Sequence, residues 1–218
     1  MDETRRGFLK KAALVGAGAM AAGIGTNATI PGIGAAEATS KKKKTEDGLI
    51  RVGFIGTGFR SQEHFNNVLS YDDVMVTAIC DTSEYSLNMT KKHFEKLGKP
   101  FPKVYTGSEH AFEDMLAKEE FDAVIISSPW EWHAPMSVAA MKAGVPYVAV
   151  EVSAANTLEE CWDLVNTSLA TGSQLMILEN VCYRKDVMAA LNMVREGLFG
   201  ELLHCRCGYE HDLRDVKF

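Results

Sequence analysis

The sequence predicts an α/β fold with a doubly wound parallel sheet. Three observations predict it. From Leu49 onward, short apolar runs alternate with amphipathic segments. The first run ends in a glycine-rich turn, and an acidic residue closes the second. A parallel sheet is covered by helices on both faces, so its strands read as short continuous apolar runs joined by helical connections.

Each element follows from the same logic. Ile50 to Ile55 is a buried strand broken by Gly56. Phe65, Val68 and Leu69 give the next segment a helical face. Val74 to Cys80 is a second strand, and Ser83 to Leu97 a helix closed by Gly98 and Pro100. Val104-Tyr105 is a brief third strand, and Phe112, Met115 and Leu116 mark another helix. Phe121 to Ser127 reads as a strand, His133 to Ala143 as a helix ended by Gly144, and Val145 to Val150 as the next strand. Thr157 and Glu160 form a capping box for a helix from Thr157 to Ala170. Leu158, Cys161, Trp162, Val165 and Leu169 are expected as its buried stripe. Gln174 to Leu178 is a strand. Val187, Leu191, Val194 and Leu198 are expected to do for the helix before Gly200 what the stripe does for its predecessor. Glu201 to Tyr209 reads as one strand of a second sheet.

Composition narrows the function classes. The 218 residues are 46% hydrophobic and 24% charged, with net charge −6, which is ordinary for a globular chain of one domain and a fraction. The acidic balance, with no basic stripe to release counterions, argues against a nucleic-acid partner. The basic run Lys41 to Lys44 reads as a solvated linker. Cys80, Cys161, Cys182, Cys205 and Cys207 are odd in number and scattered, so no disulfide framework is implied. All five are expected as small core hydrophobes, and no metal site is expected.

The first 38 residues read as a targeting leader. Thr4-Arg5-Arg6-Gly7-Phe8-Leu9-Lys10 matches a twin-arginine signal. Ala12 to Ile24 is apolar, yet a spanning helix needs about 20 such residues, so it is an h-region and not a stable membrane anchor. Ala36-Glu37-Ala38 supplies an A-x-A cleavage site. The domain reading is therefore leader 1–38, linker 39–48, nucleotide domain 49–180, and 181–218 as the beginning of a further domain. The expected location is the periplasm or outside the cell, reached through the twin-arginine export machinery, which implies a path for proteins folded around a cofactor.

The loop Gly56-Thr57-Gly58-Phe59-Arg60-Ser61 fits the G-x-G-x-x-G/A fingerprint, with serine in the last place. The first glycine allows the tight turn. The second lets backbone N–H groups approach a pyrophosphate at a helix N-terminus. Asp81 ends the second strand, placed to accept from both adenosine ribose hydroxyls and to repel a 2′-phosphate. The fold is thus Rossmann-type, and NAD is favoured over NADP. The alternative for Asp81, a strand-end residue that helps start the next helix, is compatible with the same role. Ser127-Ser128-Pro129-Trp130-Glu131-Trp132-His133 follows the strand after the crossover, where ligands of open α/β sheets bind. Its two indoles and imidazole either wall a nicotinamide and its substrate or cover the sheet edge.

These features, with SSPWEWH (127–133), AAMKAGVPYVAVEVSAANTLEECWDLV (139–165), LENVCYRKDVMAALNMVREGLFGELLH (178–204) and GYEHDLRD (208–215), give the chain a family resemblance. It resembles the Gfo/Idh/MocA oxidoreductase superfamily, and within it glycoside hydrolase family 109, the NAD-dependent α-N-acetylgalactosaminidases. Sugar dehydrogenases of the superfamily usually carry Glu-Lys-Pro after the fifth strand. Here Glu151-Val152-Ser153 stands there, and valine cannot donate a proton. The resemblance implies hydrolysis of a terminal N-acetylgalactosaminide without net redox: oxidation at C3, elimination, addition of water at C1 and reduction. The paired carboxylates of most glycosidases are not used. The cofactor implied is NAD.

Carried over by residue, the cofactor contacts are Phe59, Arg60, Trp130, Glu131, Trp132, His133, Glu151, Val152 and Asn180, beside Gly56, Gly58 and Asp81. For Asn180, turn capping is the alternative. Tyr209 resembles a substrate contact; Arg214 is a further substrate candidate, and Tyr183 and His211 are catalytic candidates, with a structural role equally open for these last three. Relatives continue into an α+β substrate domain, so the chain is expected to be truncated, with the remaining catalytic groups beyond Phe218 and the activity of this length open. The competing readings are an exported NAD-dependent sugar oxidoreductase and a non-catalytic NAD-binding remnant. An oligomer is left open.

Overall fold

The computed structural model describes residues 48–206, with 208 and 212. The leader and the basic run at 41–44 lie outside them. Six strands form one sheet: β1 (Ile50–Ile55), β2 (Val74–Cys80), β3 (Lys103–Tyr105), β4 (Ala123–Ile126), β5 (Tyr147–Val150) and β6 (Gln174–Ile177), in the order β3-β2-β1-β4-β5-β6. The β1–β2, β1–β4, β2–β3 and β4–β5 pairs are parallel. The order turns back between β1 and β4, and that reversal creates a crevice at the strands' carboxyl ends.

Helices α1 (Phe59–Val68), α2 (Glu84–Leu97), α3 (Ala111–Lys118), α4 (Trp130–Lys142) and α5 (Leu158–Thr171) connect the strands. Successive strand side chains point to opposite faces, and two cores result. Val52, Phe54, Val76 and Ile79 meet Phe65 and Leu69 of the α1 region and Phe94 of α2. There the rings of Phe54 and Phe65 lie 4.3 Å apart, and Phe94 meets Phe65 edge-on at 5.1 Å. Ile55, Val124, Ile126, Val148 and Val150 instead meet Phe112, Met115, Met136, Met141 and Leu164 of α3, α4 and α5.

β1 and β2 have the bounds the apolar runs predict, and Thr157–Glu160 forms the expected capping box. Other expectations need correction. α4 starts at Trp130, three residues before the predicted His133, so the Trp-Glu-Trp run is its first turn and not a loop. The stripe of α5 is not buried. Leu158, Trp162, Val165 and Leu169 are about half exposed, and Leu164 is the residue α5 buries. The helix packs on α4 and buries Leu164, which leaves the rest of its apolar stripe exposed among the described residues. Cys80 is buried as expected, whereas Cys161, Cys182 and Cys205 are exposed.

The chain divides into two compact units between Met176 and Ile177. The second contains a 3-10 turn (Asn180–Tyr183) and α6 (Lys185–Arg195). Val187, Leu191, Val194 and Leu198 are exposed, not buried. The strand expected from Glu201 is also absent among the described residues, where 201–206 is irregular. A strand needs a paired neighbour to satisfy its backbone groups, and no strand pairs with this segment there.

Candidate dinucleotide site

The carboxyl ends of β1, β2 and β4 open into a cavity of about 520 Å³. Its floor is the turn after β1. Gly56 has φ +83°, and a Cβ there would stand 2.6 Å from the Ser127 carbonyl group. Only glycine allows this turn and its close approach to the end of β4. Ser61 is fully buried and donates its hydroxyl to the Gly56 carbonyl at 2.6 Å, so the small third residue of the fingerprint ties helix to turn. Gly58 is the N-cap of α1 and carries no side-chain cap. A Cβ at Gly58 would meet nothing within 4 Å. The start of α1 is therefore neither capped by a side chain nor crowded at Gly58, which suits a phosphate at a helix N-terminus.

Asp81 borders the same cavity. Its Oδ2 accepts from the Thr57 N–H at 2.6 Å and the Thr57 hydroxyl at 2.9 Å, and Oδ1 accepts from the Ser83 N–H at 2.7 Å. The carboxylate thus locks the glycine loop and starts α2 together. An ionised carboxylate offers about four acceptor positions. Three are taken by the protein itself. Burial, with the charge of Asp81, pushes the neighbouring Cys80 thiol up to about 12. Cys80 stays a neutral, apolar part of the wall.

On the far side, Ser127, Glu131 and Trp132 line the cavity. The Trp132 indole is held edge-on by His110 at 5.5 Å and Phe112 at 6.1 Å. Trp130 is mostly exposed and outside the lining. His133 is buried, with Nδ1 2.7 Å from the Ser153 carbonyl and Nε2 2.7 Å from the Ser128 carbonyl. It joins the loops after β4 and β5 from behind the cavity wall and does not itself face the cavity. Phe59 and Arg60 line the rim, Phe59 almost wholly exposed.

Glu151 follows β5 and is buried. Its Oε1 accepts from Arg60 Nε at 2.6 Å and from His64 Nε2 at 2.7 Å, and its Oε2 from the Val152 N–H at 3.1 Å. Burial alone would raise its carboxyl. The hydrogen bonds from Arg60, His64 and Val152, with the Arg60 charge, outweigh this and hold it below the usual carboxylate range. Arg60 is shifted up, chiefly by the same hydrogen bond. Val152 is partly exposed beside it.

Asn180 and Tyr183 lie in the 3-10 turn of the second unit, where Glu179, and not Asn180, caps the turn by accepting from the Val181 N–H at 2.8 Å. Tyr183 is exposed. Tyr209, His211 and Arg214 lie outside the described residues. Sequence reasoning missed Thr57, His64, Ser108 and Glu109. Thr57 carried a signal, being the hydroxyl between the two glycines. Ser108 and Glu109 line the cavity from the loop after β3 and carry no motif.

The residues fit a dinucleotide. The Gly58 cradle is open, and the Ser127 hydroxyl at the cavity is buried without a hydrogen-bond partner. The family profile described as "Oxidoreductase family, NAD-binding Rossmann fold" matches residues 50–178. The chain belongs to this Gfo/Idh/MocA family. A second profile, "Glycosyl hydrolase 109, C-terminal domain", matches residues 183–218. This Gfo/Idh/MocA chain is 62% identical over 221 aligned positions to an α-N-acetylgalactosaminidase of Tannerella forsythia, covering 100% of this chain and 47% of that protein. It is also 62% identical to a glycosyl hydrolase family 109 protein of Parabacteroides distasonis, with the same coverage. The chain is thus similar to glycosyl hydrolase family 109 proteins, and it spans about half the length of those relatives. Among solved structures, the WlbA dehydrogenase of Bordetella pertussis, in complex with NADH and UDP-GlcNAcA, matches with TM-score 0.60 at 23% identity. That match covers 70% of this chain and 43% of the dehydrogenase, and it bears on the fold alone.

Proposed function

We propose that the protein is an NAD-dependent glycosidase acting on terminal α-N-acetylgalactosamine or a related glycoside. The observation that carries this reading is the cavity itself, where the uncapped N-terminus of α1, the Gly58 cradle and Asp81 converge. The substrate class is drawn from the name of the Tannerella forsythia relative. Bound NAD would supply reversible hydride acceptance, which makes elimination and readdition at the anomeric carbon accessible.

The chain's own residues bind and orient. In this reading Gly58 and the first turn of α1 hold the pyrophosphate, Asp81 takes one ribose hydroxyl, and Trp132 walls the nicotinamide end. Arg60 places positive charge at the rim. Glu151 and His133 hold the surrounding loops. Val152 replaces the proton-donating lysine of sugar dehydrogenases, which favours hydrolysis over net oxidation. Export through the twin-arginine route belongs to the same proposal and is supported by the Arg5-Arg6 leader pattern. Replacing Arg5 and Arg6 together by lysine is expected to retain the protein in the cytoplasm on fractionation.

The test is hydrolysis of 4-nitrophenyl α-N-acetylgalactosaminide by protein stripped of nucleotide, with and without added NAD⁺. Nitrophenolate release that depends on NAD⁺, with no net cofactor reduction, is the expected result. Reduction of NAD⁺ in proportion to sugar consumed would move the reading to a sugar oxidoreductase. NAD⁺ binding without turnover would move it to a binding remnant.

A further inference from the structure

His64 lies on α1, one turn beyond the glycine loop, and does not line the cavity. Its side chain is 14% exposed, and the Glu151 side chain it meets is 10% exposed. Glu151 is ionised, so the His64 Nε2 must carry the proton and donate it. The same oxygen, Oε1, receives Arg60 Nε. Arg60 is the member of this trio that borders the cavity, and its side chain is 38% exposed. Two donors from one helix therefore converge on one carboxylate atom delivered by β5, two strands away in the sheet.

This sharing has a mechanical consequence. The Val152 N–H fixes Oε2, and His64 fixes Oε1 from the covered side. The carboxylate then presents one remaining direction to Arg60. A guanidinium has five N–H groups. Nε is held by Glu151 and one Nη by Glu63, and Arg60 as a whole borders the cavity. Without His64, the carboxylate gains torsional freedom about its last bond, and the half-covered arginine loses its fixed anchor.

We propose that His64 is a positioning residue for the cofactor's diphosphate, acting through Glu151 to hold the Arg60 guanidinium at the cavity rim. The proposal rests on the NAD reading. It separates from that reading because it concerns a variant's affinity relative to the unaltered protein.

The test is calorimetric titration of NAD⁺ into nucleotide-free full chain. His64→Ala is expected to weaken binding about tenfold, the loss of one hydrogen bond to a charged group passed on to the ligand. His64→Gln keeps an amide N–H in the place of Nε2 and is expected to bind within about threefold of the unaltered protein. In an E151Q background, adding His64→Ala is expected to change affinity less than twofold, because the relay is already cut. Near-native affinity in His64→Ala overturns the proposal, as does an equal loss in both backgrounds. If His64→Ala does not fold, His64→Met matches its bulk without a donor and is compared with His64→Gln by the same thresholds. Failure of the unaltered chain to bind NAD⁺ would instead sink the functional reading.

Discussion

The two glycines of the fingerprint differ in what they protect. Gly56 combines a positive φ with a backbone wall 2.6 Å from any Cβ. Gly56→Ala is therefore a folding mutation, expected to cost about 1–3 kcal/mol from strain alone and to show in a denaturant melt. Gly58 has φ −65° and open space where a Cβ would stand. Gly58→Ala is expected to stay within about 1 kcal/mol of the parent, the scale of an N-cap change, while weakening NAD⁺ binding at least tenfold by standing where the pyrophosphate approaches. Melting and titration on the same pair separate the two roles. Both glycines were legible from spacing, because a motif encodes a local backbone demand. Asp81 was legible too, but its two bonds to Thr57 were not, since they join residues 24 apart. His133 reads as a site residue from its position at a strand end. Its partners, the Ser128 and Ser153 carbonyls, are backbone atoms that no sequence pattern marks.

Elements were legible where one strand or helix carries its own signal. β1 and β2 are buried on both faces, so their apolar runs mark their ends. The α5 capping box is likewise local. Thr157→Ala is expected to remove the bond to the Glu160 N–H and lower stability by about 1 kcal/mol, measured by chemical denaturation. The α5 stripe misled because periodicity shows that a helix has an apolar face, not what covers it. The tie between α1 and β5 was illegible for the opposite reason. Arg60 and Glu151 are 91 residues apart and meet only because the sheet order brings β1 and β5 to either side of β4. That tie predicts a pH response. The Glu151 carboxyl titrates below its unfolded value of about 4.3. Its contribution is thus complete above that pH and fades as pH falls through the lower folded value. The stability gap between the parent and Glu151→Gln is expected to be constant near neutrality and to shrink below about pH 4. A gap that does not shrink there would show that the Glu151 carboxyl is not held below its unfolded value.

At the scale of the whole molecule, every residue lining the cavity belongs to the first compact unit. Cofactor binding should therefore stabilise that unit as a body, whatever the second unit does. The three tryptophans, Trp130, Trp132 and Trp162, all lie in the first unit, so indole fluorescence follows its unfolding. Trp132 also lines the cavity and reports occupancy. A ligand at a hundredfold excess over its Kd stabilises by about 2.7 kcal/mol. For a unit of this size that is a rise in Tm of roughly 10 °C. NAD⁺ is expected to produce it. NADP⁺ at the same concentration is expected to raise Tm by less than half as much. Its 2′-phosphate would meet Asp81, whose carboxylate cannot swing aside without releasing Thr57 and Ser83. Equal shifts from the two nucleotides would remove Asp81 as the discriminating residue. No shift from either would remove the cavity as a dinucleotide site.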